Sequence, residues 1–157
     1  MRSFLAPWGP GLKLSTSIAC AVVGVPAIVQ LSYGRPIGWL LLMVLVLPVL
    51  GMVRGYRLTP THLEVQRAGW TTRLPLAGLT SAAIEPGVMA RSLRTWGNGG
   101  AFAITGRFRN AHLGAYRAYV TDTSRTVVLR FTSETVVISP DDPQRFTQVI
   151  AAYLAAP

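Results

Sequence analysis

The chain has 157 residues, half of them hydrophobic and only 13% charged, and a net charge of +9. One cysteine excludes a disulfide framework, and two isolated histidines among six scattered acids leave few groups for proton transfer, covalent catalysis or a metal centre. No catalytic residue, metal ligand or cofactor is assigned.

Between Leu14 and Val53 the only charged residue is Arg35, which divides the stretch into apolar halves at 14–31 and 36–53. Each half falls within the roughly 17 to 25 residues that cross a bilayer. The second, with the unbroken run Trp39 to Leu47, is the stronger. The first is diluted by Ser15, Thr16, Ser17 and Gln30 and contains Gly24 and Pro26, which membrane helices tolerate where neighbours satisfy the freed backbone. The reading is a two-helix transmembrane hairpin over residues 1–54, with Cys20 as a small hydrophobe inside it. A cleaved signal peptide is the alternative, with Arg2 and Lys13 as its basic region and Val25-Pro26-Ala27 as the cleavage site. Arg2, Lys13, Arg54 and Arg57 flank the outer ends of the pair, against Arg35 alone in the connection. Positive flanks stay inside, so both termini are expected in the cytoplasm of a bacterial inner membrane.

Residues 55–157 suffice for one compact domain. Alternation in Leu63 to Arg67 and Thr126 to Phe131, the β-branched run Thr135 to Ile138, and turn signals about every ten residues predict a mainly β domain. Strands are expected near 55–58, 63–68, 71–75, 80–85, 101–105, 115–121, 126–131 and 135–138, arranged as a partly open barrel of about seven strands. The turn Ala68-Gly69-Trp70 is expected to point back toward the bilayer, with Trp70 either in the headgroup layer or packed on its own hairpin. From Pro143, Phe146, Val149, Ile150, Tyr153 and Leu154 fall on one helical face. Ser139 to Pro143 supplies the start, with Asp141 and Asp142 read as caps rather than as a catalytic pair. A fragment starting near Gly55 is expected to fold alone.

This order of elements resembles the membrane-anchored bacterial pleckstrin-homology (PH)-like domains from Tyr56 to Leu154. The matching stretches are Ser92 to Gly100, Gly106 to Asn110, Ala118 to Asp122 and Ile138 to Pro143. The resemblance implies a PH-like β array capped by the C-terminal helix and a non-catalytic binding role. The loop that carries basic residues in phosphoinositide-binding relatives is here Thr59-Pro60-Thr61-His62, without lysine or arginine.

The chemistry instead concentrates between Arg91 and Tyr119, where arginines interleave with aromatic rings around a glycine-rich segment. The candidate binding surface is Arg94, Trp96, Gly97, Asn98, Gly99, Gly100, Arg107 and Arg109. Arginine with exposed aromatics suits a protein contact. A plain hairpin loop, with Trp96 folded back and the arginines paired to Glu85, Asp122 or Glu134, is the competing account. The expected role is a membrane-anchored adaptor that engages a protein partner. The alternative is a module for anionic lipid or a small anion, and nucleic acid is disfavoured.

Overall fold

The computed structural model describes residues 2–155. Strand β1 (Arg2–Leu5) comes first, followed by α1 (Pro10–Ser32) and α2 (Ile37–Leu50). Seven strands then lead to η, a single 3₁₀ turn over Thr123–Arg125, and on to the last elements. In chain order these are β2 (Val53–Leu58), β3 (His62–Arg67), β4 (Thr71–Pro75), β5 (Leu79–Ile84), β6 (Leu93–Gly99), β7 (Ile104–Asn110) and β8 (Gly114–Val120). β9 (Val127–Phe131), β10 (Thr135–Ile138) and α3 (Pro143–Leu154) complete the fold.

The strands form two sheets, ordered β1-β2-β3-β4 and β5-β9-β10-β8-β7-β6. They do not close, so the expected barrel of about seven strands is corrected to an open pair of sheets with ten strands among the described residues. Two strands explain most of the difference. Before the first helix the sequence suggests no strand, yet Phe4 and Leu5 pair with Tyr56 and Gly55 of β2. The segment from Leu93 to Gly99, read as loop, is the edge strand of the second sheet, and the strand expected at 101–105 runs from Ile104 to Asn110. Both errors have one cause: strand pairing is non-local, and neither segment carries the alternation that a half-buried strand displays.

The main core lies between the sheets and is closed by α3. Tyr56, Leu63, Val65, Leu129, Ile138, Phe146 and Ile150 are fully or almost fully buried there, and Phe4 joins them from β1 with its ring edge-on to Phe146 at 5.1 Å. A smaller core covers the outer face of the second sheet, where Val88 and Met89 from the β5–β6 connection rest on Phe108, Tyr116 and Val128. Helix α3 starts as expected: Asp142 caps it by accepting from the Arg145 N–H at 2.9 Å, and Pro143 occupies the first turn. Its inner face is Phe146 and Ile150, with Val149 and Tyr153 half-buried beside them; Leu154 is 40% exposed.

The two N-terminal helices pack against each other, with Gly38 over Ala27 and Leu31. Pro26 has no N–H to give the Val22 carbonyl, and the helix widens into one π turn over Cys20–Gly24 just ahead of it. Helix α1, at 23 residues, is long and apolar enough to cross a membrane. The expected second span of 36–53 is shorter than read: α2 has 14 residues because Gly51 ends it and β2 begins at Val53. That is about 21 Å of helix against a hydrocarbon core of about 30 Å. Both helices keep large apolar side chains in the open, such as Val22 and Ile28 on α1 and Trp39 and Met43 on α2.

Candidate functional site

The inner face of strands β6, β7 and β8 is only partly covered: Trp96 and Arg107 are exposed on it, whereas Thr105 and Tyr119 are buried. The register sets what that face presents. Trp96 lies opposite Arg107, which lies opposite Arg117; Asn98 lies opposite Thr105, which lies opposite Tyr119. Because side chains alternate along a strand, these two rows share one face, while Phe108, Tyr116, Ala118 and Val120 point into the smaller core. The two strands come very close at Gly97 and Gly106, where φ is +106° and +138°, and a Cβ on either would overlap the opposing backbone. Only glycine fits this crossing.

Arg67, at the end of β3, reaches over this face and completes a cleft of about 790 Å³. Its guanidinium stacks between two rings, 5.2 Å from the centre of Trp70 and 4.9 Å from that of Tyr119. Arg117 approaches Tyr119 from another direction, 5.5 Å from the ring centre, and donates to the phenolic oxygen at 2.5 Å. The Nε of Arg67 is buried and meets no acceptor. Burial holds the Arg67 pKa below its ordinary value against the opposing effect of the Tyr119 phenol, and the nearby charge of Arg117 adds a smaller lowering. Arg117 is relieved by Glu134 at 3.2 Å, whereas among the described residues Arg67 and Arg107 have no acid partner.

The segment singled out from sequence divides into two kinds of residue. Asn98 is engaged in a turn: its side-chain oxygen accepts from the N–H groups of Gly100 and Ala101, and its amide donates to the Ala101 carbonyl. The Gly100 carbonyl accepts from the Ser15 hydroxyl at 2.6 Å, and the Phe102 N–H donates to Thr16 Oγ1 at 3.0 Å, so this link docks the first helix onto the domain. Trp8 meets the Phe102 ring edge-on at 6.3 Å in the same contact. Arg94, Trp96, Gly97 and Gly99 remain exposed on the edge strand, and Arg107 and Arg109 are exposed on β7. Trp96 does not fold back, being 79% exposed. Nor do these arginines take the expected acids: Glu85 serves His112 and Arg130, Asp122 serves Arg125, and Glu134 serves Arg117.

Arg67, Arg117 and Tyr119 were not singled out by the sequence as members of one site. The usable signal was the two-residue spacing of Thr105 with Arg107 and of Arg117 with Tyr119, which puts each pair on one strand face. That β3 brings Arg67 to them needs the tertiary fold. The hairpin turn at Gly69 rests against the end of α2, with Gly69 N–H donating to the Leu50 carbonyl at 2.8 Å and Ala68 N–H to that of Met52 at 2.9 Å. A second recess of about 400 Å³ continues the cleft to Leu47, Pro48 and Gly51 of that helix end. Among the described residues no cluster of histidine, cysteine and acid could hold a metal ion.

Residues 54–152, more than half of the chain, match the family model described as bacterial PH domain. No curated protein and no solved structure matches the chain.

Proposed function

This chain belongs to the bacterial PH domain family, and from that premise we propose that it is a non-catalytic adaptor, anchored in the bacterial inner membrane by α1 and α2, that engages a protein partner at the cytoplasmic face. The observation that carries the partner is the edge strand β6, where Leu93 is 75% and Trp96 79% exposed. A free edge offers unpaired backbone groups to any extended chain and is normally blunted. Here the arginines at 94, 107 and 109 repel a second copy of the same edge and attract an acidic segment.

The topology of the anchor is supported by β1. Because β1 and β2 flank the helix pair and hydrogen-bond to each other, the chain leaves the hairpin on the side where it entered. This supports two crossings over one. Arg35 at the turn favours crossing, since a guanidinium left at mid-bilayer costs several kcal/mol and one at the far surface is hydrated. The shortness of α2 is met by local thinning of the bilayer and by its apolar flanks. The units are then the hairpin within 1–54 and the domain within 55–157, with β1 added to the domain's sheet.

The test places a photocrosslinking residue at position 96 in cells and a fluorescent protein after Pro157. We expect one captured neighbour, lost in the Trp96→Ala, Arg94→Ala double variant while its melting temperature stays within a few degrees of wild type, and a fluorescent fusion. Capture intact in the double variant, or a large loss of stability, returns the strand to a structural role. An active periplasmic phosphatase in place of the fluorescent protein would reverse the topology. The basic cleft favours a second reading, anion binding.

A further inference from the structure

We propose that the cleft between β3 and the inner face of β6, β7 and β8 binds the phosphate of an anionic membrane lipid, held by Arg67, Arg107 and Arg117 over the Tyr119 ring. The proposal deepens the anion-binding reading and rests on insertion of the helix pair in a membrane. Three features of the cleft are costly as it stands. Arg107 and Arg117 are directly opposite on neighbouring strands, where like charges destabilise a sheet. Arg67 is drawn out of water toward them and stacks on Tyr119 beside Arg117. Its Nε is buried with no acceptor, an orphan donor of a kind that folded proteins seldom keep. One tetrahedral anion in the cleft that the three arginines line answers the first two, since arginine presents paired donors to phosphate oxygens. The nearest acid, Glu134, is engaged with Arg117 alone.

The shape indicates a lipid as the source of the anion. The cleft, about 790 Å³, has the size of a small-ligand site. Its continuation runs past Trp70 to Leu47, Pro48 and Gly51, so a polar pocket opens onto an apolar wall at the end of a membrane helix. A headgroup in the pocket leaves its acyl chains beside α2, and the Trp70 ring sits where headgroups meet hydrocarbon. The site is separate from the Thr59–His62 turn, which carries no basic side chain other than a histidine.

The experiment titrates the full chain, in a zwitterionic detergent, with short-chain phosphatidylglycerol, short-chain phosphatidylcholine and inorganic phosphate. Tryptophan fluorescence and the melting temperature report binding, since Trp70 and Trp96 border the site. Phosphatidylglycerol is expected to give a saturable change and a raised melting temperature, phosphatidylcholine neither, and inorganic phosphate only a response at far higher concentration. Arg67→Gln and Arg107→Gln are each expected to weaken the phosphatidylglycerol response at least tenfold. Arg107→Gln without lipid should melt no lower than wild type, because a like-charge pair has been removed. Should Arg67→Gln fail to fold, the exposed Arg107 decides the matter through its own variant. Equal responses to both lipids, or variants that titrate like wild type, overturn the site. Inorganic phosphate acting at the lipid's concentration overturns the lipid as source. Resistance of the chain to carbonate extraction is measured beside these: retention in the membrane without lipid selectivity sinks this proposal alone, while loss of retention sinks the anchor on which it rests.

Discussion

Replacing Phe4 by alanine tests whether a four-residue strand ahead of the first helix is part of the domain's core. Phe4 is 5% exposed, packs among Tyr56 and the helix α3 residues, and meets Phe146 edge-on at 5.1 Å. Burial of such a ring contributes about 1.5–3 kcal/mol, and the aromatic pair adds about 0.5–1.5 kcal/mol. A rigid cavity would raise the loss toward the ~3–5 kcal/mol typical of buried phenylalanine. Strand β1 is short, however, and is fixed at one end by the Asp141 N–H donating to the Leu5 carbonyl at 2.9 Å. It can fray instead of leaving a void, so the loss is capped near the cost of undocking it. We expect about 3 kcal/mol, or roughly 10–20 °C in melting temperature for a domain of this size. The assay is a urea and thermal melt of the full chain in mild detergent, with Leu5→Ala as the control, since Leu5 is 69% exposed. Phe4→Ala indistinguishable from Leu5→Ala, both within about 0.5 kcal/mol of wild type, would refute the docking of β1. The same reasoning revises the expectation that a fragment from Gly55 folds alone: it would lack Phe4 and expose one edge of β2, and should melt well below the full chain.

Two further outcomes are expected. The Tyr56 phenol, fully buried, donates to the Tyr119 carbonyl at 2.6 Å and accepts from the Ser139 N–H at 3.1 Å. Burial raises its pKa to about 12 from an ordinary 10.0, against the smaller opposing effect of the Ser139 hydrogen bonds. The unfolded chain thus loses this proton first as pH rises. Its stabilising effect is whole below pH 10 and is lost between about pH 10 and 12, up to about 3 kcal/mol. Tyr56→Phe should cost about 1–3 kcal/mol at neutral pH through the unpaired backbone groups, and should lack this alkaline decline. Denaturant midpoints of the two proteins that fall in parallel above pH 10 would refute the assignment. Ile150→Asp puts a carboxylate into the fully buried face of α3, and a loss of several kcal/mol is expected by circular dichroism; an unchanged melt would mean that α3 is not packed on the sheets.

The sequence by itself determined the elements whose signals are local. The apolar stretches around Arg35 became two packed helices, the i, i+4 spacing of Phe146 and Ile150 became the buried face of α3, and Asp142 became its cap. The alternating runs at 63–67 and 126–131 became strands within a residue or two of their expected ends. Arg94, Trp96 and Arg107 were legible as a surface rich in arginine and aromatic rings because composition alone marks them. Tertiary structure decided what depends on pairing between distant segments. Arg2 to Leu5 is a strand only because Gly55 and Tyr56 lie alongside it, and Leu93 to Gly99 only because β7 offers its edge, with Gly97 and Gly106 giving the room. The same holds for the cleft. Arg67, Arg107 and Arg117 are separated by up to fifty residues and share a site through register and sheet order. Local propensity acts within a few residues and can specify a helix or a turn, but the placement of three like charges along one cleft is a property of sheet order and register.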